Sequence, residues 1–295
     1  MQRLSKYFTE GIVSETLHSI GAEIETQFFD EIGFAISTET SQNMLKLLTE
    51  KGWRITGKKG GLITSLADTE GNQINYELGR HNIEISTVPS TSDNITSVMR
   101  NCLDQLYWSA EKVGAEPYFA PVFIDDDDLL IIPDERDANW LQLDGRSALA
   151  PLAKISSVQF TFSVSTEDAV LMLNKLGENV DLFLNDYPQD GVWKRYIEQS
   201  KAGYLSERYG GPLMFESIDD YCLKLAKNKV VVGTSLVPYS EVTELNIPLY
   251  LRSIWWYFRL KRYGNDLCIE VRPIPRRRDS QFDSQLKNVL EIVSG

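Results

Sequence analysis

The stretch Asn265-Asp-Leu-Cys-Ile-Glu-Val-Arg272 places charged side chains two apart inside an apolar, β-branched run, and Gly21-Ala-Glu-Ile-Glu-Thr26 does the same. A β-strand turns alternate side chains to opposite faces. Glu270 and Arg272 therefore share one face and Ile269 and Val271 the other, while Glu23 and Glu25 project together, away from Ile24. Half-exposed strands ordinarily carry Thr, Lys or Ser on the wet face. Carboxylates at successive same-face positions repel each other unless positive charge sits between them. Asn75/Glu77, Asn82/Glu84 and Gln159/Thr161 repeat the pattern. Together these segments predict an α+β fold in which one antiparallel sheet carries helices on its apolar face. Its other face becomes a concave floor with five carboxylates and at least one guanidinium.

Taken singly, each piece is ordinary. A Glu-x-Glu in a strand is commonly an exposed edge, and Glu270-Val-Arg272 alone is a surface ion pair worth roughly 0–1 kcal/mol. The recurrence on runs that otherwise read as buried strands gives the pattern its weight. Such a floor suits hard cations. Mg²⁺ takes oxygen ligands and is often held by carboxylates together with substrate phosphates. An Arg beside metal-bridged phosphate oxygens is a recurring part of phosphoryl transfer.

The 295 residues suffice for one large domain or two modest ones, and 42% hydrophobic content supports a substantial core. Acidic residues outnumber basic ones, 42 to 30, for a formal charge of −12. That balance argues against nucleic-acid or anionic-membrane partners, which need a basic footprint. Cys102, Cys222 and Cys268 have neither metal-ligand nor disulfide spacing, as suits a reducing compartment. The N-terminus lacks an apolar signal core and no run is long enough to span a membrane, so the chain reads as soluble and cytoplasmic.

Along the chain, Ser14 is expected to cap a short helix through Leu17 and Ile20 that ends at Gly21. Strand 22–29 follows, then a helix over 39–51 stopped by Gly52, and strands 60–69 and 73–78 around a Thr69–Asn72 turn. Strand 82–87 leads to the clearest helix, through Ile95, Met99, Cys102, Leu103, Leu106 and Ala110. The acidic run Asp125–Asp128 reads as a solvated loop. Strand 154–164 and helix 167–177 come next. Residues 178–248, with helices near 191–199 and 217–227, read as an insertion or lid within a single catalytic domain spanning 1–295, since no stretch there could support its own core. Residues 250–263 lead into strand 266–272, and a helix over 281–293 closes the chain.

In this order, the segments resemble the carboxylate–amine ligase family that includes glutamate–cysteine ligases, of the glutamine synthetase-like superfamily. Gly21–Thr26 is similar to that family's opening Gly-x-Glu-x-Glu strand. Glu77-Leu-Gly-Arg-His-Asn-Ile-Glu84 with Ile85-Ser-Thr-Val-Pro89 is similar to its Glu-to-Glu segment, and Ser157-Val-Gln-Phe-Thr161 falls where members carry a Gln- or His-containing strand. Gly211–Tyr221 resembles a mid-chain segment, Ile254-Trp-Trp-Tyr-Phe-Arg259 the Trp-rich segment, and Ile269-Glu-Val-Arg272 the last catalytic strand.

The resemblance implies an ATP- and Mg²⁺-dependent ligase that phosphorylates a glutamate-like carboxylate, whose acyl phosphate an amine then attacks. On this reading Glu23, Glu25, Glu77, Glu84 and Glu270 hold Mg²⁺. Glu270 and Arg272 are catalytic, and Gln159, Arg259 and Arg272 place the nucleotide. Trp255 and Trp256 read as core or pocket wall, His81 as an orienting neighbour of the ligands, and Arg80 as a weaker candidate for a substrate carboxylate. Thr161 departs from the His or Asn of many members, and Pro273-Ile-Pro275 from the acidic residue that some carry. Two alternatives stay open: a phosphotransferase of the same fold, and an inactive nucleotide-binding relative.

Overall fold

The alternating runs become the central strands of one sheet because each has a row of branched or aromatic side chains to bury. A computed structural model describes residues 2–124, 127–203, 205–243 and 245–295. Among the described residues the main sheet has nine strands. They are β1 (Ile20–Asp30), β2 (Arg54–Lys59), β3 (Leu62–Ala67), β4 (Gln73–Tyr76), β5 (Asn82–Ser86), β6 (Ala115–Tyr118), β7 (Ser157–Ser163), and, after four short strands, β12 (Phe258–Tyr263) and β13 (Asp266–Pro275). The intervening β8 (Tyr209–Gly210) pairs with β11 (Trp255–Trp256), and β9 (Val230–Val232) with β10 (Ser235–Val237). The main sheet runs in the order β12-β13-β7-β1-β5-β4-β3-β2, with β6 also on β1, and every pairing in it is antiparallel.

Ile20, Ala22 and Ile24 of β1, Ile83 and Ile85 of β5, Val158, Phe160 and Phe162 of β7, and Ile269 and Val271 of β13 are buried on one face. Helix Ile95–Lys112 packs there against β1 and β5, with Tyr107 edge-on to Phe28. The last helix, Phe282–Ser294, brings Phe282 to within 5.2 Å of Phe160, ring centre to ring centre. Burying each such side chain contributes about 1.5–3 kcal/mol, so this face holds the helices to the sheet.

β13 contains a bulge. Val271 pairs with Phe160 but Ile274 with Val158, so Arg272 and Pro273 together stand opposite Gln159. Arg272 thereby stays on the floor side while Ile274 turns to the core, where it is buried.

Four expectations change. Residues 14–19 form no helix. Ser14 Oγ instead donates to the Val164 carbonyl at 2.7 Å and accepts from the Leu267 amide at 3.0 Å, stitching the segment to the sheet. Strand β2 joins β3 through Gly60 and Gly61, both at positive φ, where the sequence reading had only one strand. Residues 258–263 form β12 rather than a lead-in. Residues 150–154 are 3₁₀ helix, so the Gln159 strand starts at Ser157. Asp127 and Asp128 lie exposed in a loop with Arg80 and Arg146 beside them, whereas Asp125 and Asp126 lie outside the described residues.

Within 178–248, Phe183, Tyr196, Ile197, Tyr209, Tyr221 and Leu225 are buried in the same continuous apolar cluster as the sheet. No described helix is long and apolar enough to cross a membrane.

Candidate active site

The strand registers put the polar side chains of distant segments side by side. Glu25 lies directly opposite Glu84, and Glu84 opposite Asn75; Glu23 lies opposite Gln159, and Thr161 opposite Glu270, which faces Arg259. Residues paired in this way project to one face. Glu23, Glu25, Glu84, Gln159, Glu270, Arg259 and Arg272 therefore share the face opposite the helices.

The floor has two electrostatically different ends. At one, Glu25 accepts from the Ser157 amide at 2.9 Å and from Gln159 Nε2 at 3.4 Å. Glu84 accepts from Ser86 Oγ at 2.8 Å and Asn75 Nδ2 at 3.1 Å. Among the described residues neither carboxylate has an ion-pair partner within 4.0 Å. Burial, followed by the charge of Glu84, pushes Glu25 up to about 8, and burial with the charge of Glu23 pushes Glu84 up to about 7. Both shifts express a shortage of positive charge.

At the other end Glu270 is 0% exposed and is held by Arg259, by Lys261 Nζ at 2.5 Å and by Arg272 Nη1 at 3.2 Å. Burial alone would raise this carboxyl, but the three cations outweigh it and hold Glu270 well below the usual carboxylate range. Arg272 Nη1 also donates to Gln159 Oε1 at 2.9 Å. Arg259 spends Nη1 on the carbonyls of Leu251 and Ile254, at 2.8 and 2.6 Å.

Over the floor lies a cavity of about 60 Å³ whose lining includes Glu25, Glu77, Ser157, Gln159, Tyr187, Trp193 and Arg272. Tyr187 shares a 3.2 Å hydrogen bond with Ser157 Oγ, and burial pushes its phenol up to about 12. Helix Gln189–Gln199 supplies Trp193, and its Asp190 accepts from Tyr209 at 2.9 Å and also from Tyr257. A larger open groove of about 480 Å³ runs between Ser92–Thr96 and the last helix; none of the floor's carboxylates lines it.

No family model matches the sequence, and no curated protein matches it either. Solved structures do. A glutamate–cysteine ligase from Francisella tularensis, in complex with AMP, superposes with a TM-score of 0.56 at 12% identity, over 95% of this chain and 67% of that one. A bifunctional glutathione synthetase from Pasteurella multocida gives 0.53 at 10% identity, over 93% of this chain and 39% of that one. The fold is glutamine synthetase-like. At these identities the likeness is one of architecture, and the chain spans well under half of the second protein.

Within that fold, the expected residues divide. Glu23, Glu25, Glu84, Glu270, Gln159 and Arg272 meet on the floor, and Glu77, just after β4, lines the same cavity as Glu25. No three carboxylate, His or Cys side chains among the described residues are gathered closely enough to hold a metal ion in their present rotamers. Both oxygens of Glu270 are taken by cationic side chains. His81 is fully buried, 3.1 Å from Gln27 Oε1 and edge-on to Phe123. Arg80 is drawn toward the Ile36 carbonyl and Asp127, off the floor. Trp256 is buried with its indole N–H on the Glu207 carbonyl, and Trp255 packs on Trp140 and Trp193.

Lys261 and Tyr187 were not singled out from the sequence. The signal for Lys261 was present, because Phe258-Arg-Leu-Lys261 alternates as the other strands do. Tyr187 reaches the floor from an irregular segment with no period to read.

Proposed function

We propose that the chain is an ATP- and Mg²⁺-dependent carboxylate–amine ligase, joining a glutamate-like carboxylate to an amine through an acyl phosphate. The observation that carries this reading is the Glu25–Glu84 pair. These are two partly buried carboxylates facing each other without a cation, two strands away from an arginine already oriented by Gln159 and Glu270.

The oxygen donors of Glu25, Glu84 and Glu77 fit a hard cation by their chemistry, and the raised proton affinity of the first two marks the charge that such an ion would neutralise. These three would hold Mg²⁺, which supplies charge neutralisation at phosphate oxygens when bound. Among the described residues the Arg272 side chain donates through Nη1 alone, and its other donors would approach the transferring phosphoryl group, where a fixed guanidinium stabilises developing charge. Glu270 and Arg259 act beneath it. Glu270 aligns Arg272, and Arg259 locks Glu270 to the carbonyls at the end of helix Ile247–Leu251. Gln159 spans the two ends, donating to Glu25 and accepting from Arg272.

A cavity of about 60 Å³ is far smaller than the roughly 300–1,000 Å³ of small-molecule sites. Substrate entry on this reading requires the cover to lift. We assign that role to the 178–248 region, as a lid on one catalytic domain spanning 1–295, since it supplies both Tyr187 and Trp193. Amino acids screened in pairs, with ADP release as readout, test the proposal. ADP that requires both a carboxylate and an amine supports ligation. ADP with a carboxylate alone would replace it with phosphotransfer, and no nucleotide-dependent thermal shift at millimolar Mg²⁺ would remove catalysis altogether.

A further inference from the structure

Strand β12 sends Arg259 and Lys261 to the floor and buries Leu260 beneath it. The Lys261 ammonium lies 2.5 Å from Glu270 Oε1 and 3.7 Å from Glu23 Oε1, and its side chain is 21% exposed. It thus bridges carboxylates from β13 and β1, which are separated by β7. Carboxylates converging from two strands onto one point are the arrangement by which a divalent cation would be held, but the donor set here does not fit one. Arg259, Lys261 and Arg272 all contact Glu270, so three positive side chains already face two carboxylates. A dication added there would meet a cluster in positive excess and would have to displace an ammonium from both of its partners. At the opposite end, Glu25 and Glu84 have no such occupant among the described residues.

We propose that Lys261 is a built-in substitute for one divalent cation. The Glu23–Glu270 end of the floor is closed to metal ions, and the protein takes them only at the Glu25–Glu84 end. This rests on the proposed function only for the second half, the ion at Glu25 and Glu84; the closure of the first end stands on Lys261 alone. A lysine that fills the position also fixes the geometry of Glu270, and through it Arg272, before any ion or nucleotide arrives.

Mn²⁺ serves as the probe, with free hydrated ion counted by electron paramagnetic resonance in titrations of the full chain without nucleotide. Lys261→Gln, which removes the charge at similar length, is expected to bind one more Mn²⁺ per chain than wild type. Adding Glu23→Gln to that variant is expected to return the count to the wild-type value, and Lys261→Arg to leave it there. An unchanged count in Lys261→Gln overturns the proposal. A second measurement uses wild type alone. Labelling of Lys261 by an amine-reactive reagent should proceed at the same rate with and without saturating Mn²⁺, and a tenfold or greater rise would mean that the ion displaces the lysine, which also overturns it. Glu25→Gln separates the two readings. If that variant keeps the wild-type Mn²⁺ count while Lys261→Gln gains a site, the ion assignment at Glu25 fails and the role of Lys261 stands.

Discussion

Glu25→Gln should make the metal-free protein more stable at pH 8 while removing a residue that the proposed chemistry needs. The amide keeps an acceptor oxygen for the Ser157 N–H, now 2.9 Å from the carboxylate, so the backbone contact survives. What disappears is the buried charge beside Glu84. The Glu25 carboxyl is raised from an ordinary 4.5 to about 8, so the folded chain holds a proton that the unfolded chain releases across that window. Stability is therefore fully present below about pH 4.5 and is lost as the pH climbs through about 8. Each pH unit of that window corresponds to about 1.4 kcal/mol, which caps the effect near ~5 kcal/mol. Because solvent reaches the floor and Glu84 carries part of the same repulsion, roughly half of this, ~2–3 kcal/mol, should belong to Glu25. For a chain of 295 residues that is a Tm higher by about 3–5 °C. Differential scanning calorimetry in EDTA at pH 5 and pH 8 reads it directly. The two proteins should melt together at pH 5 and diverge at pH 8, and millimolar Mg²⁺ should raise wild type more than the variant. A variant that melts at or below wild type at pH 8 would refute the reasoning, as would a wild-type Tm that does not fall between pH 5 and 8.

Other perturbations probe different parts of the structure. Glu270→Gln strips the shared partner from Arg259, Lys261 and Arg272, and should cost about 3–5 kcal/mol in urea denaturation besides abolishing ADP formation. Arg272→Lys cannot span Gln159 and Glu270 with one planar group, so ADP formation should fall by roughly 10²–10³ at an unchanged melting temperature. Gly177→Ala would place a Cβ 1.9 Å from the Leu213 carbonyl oxygen, and the segment carrying Leu213 should be pushed off the helix, with a loss of about 1–3 kcal/mol by urea titration.

The sheet was legible because its strands obey a two-residue period. Ile24, Ile85, Phe160 and Ile269 read as buried from spacing alone, and the registers place Glu25, Glu84 and Glu270 on the opposite face as that spacing requires. Local period carried no information about partnership. Nothing in Glu270-Val-Arg272 indicates that three cations converge on the glutamate, because two of them arrive from a neighbouring strand whose register is set by packing. The helix expected after Ser14 failed for a related reason. A serine followed by spaced apolar residues satisfies the capping pattern, but the hydroxyl found stronger use across the chain, at Val164 and Leu267. His81 was drawn toward the site by its position between two glutamates in sequence, whereas its ring is buried against Phe123.

The extra residue in β13 lets one strand serve two masters. Up to Val271 the even-numbered side chains look toward the floor; from Ile274 onward they look toward the hydrocarbon, and the changeover falls at Arg272-Pro273. Proline is well suited to that spot, since it has no amide hydrogen to forfeit where the ladder skips a rung. Without the bulge, simple alternation of the same residues would put Arg272 and Ile274 on one face and force a choice between a guanidinium over the floor and an isoleucine in the core. Pro273, which reads in the sequence as a departure from a family pattern, thus marks the frame shift that lets the molecule keep both.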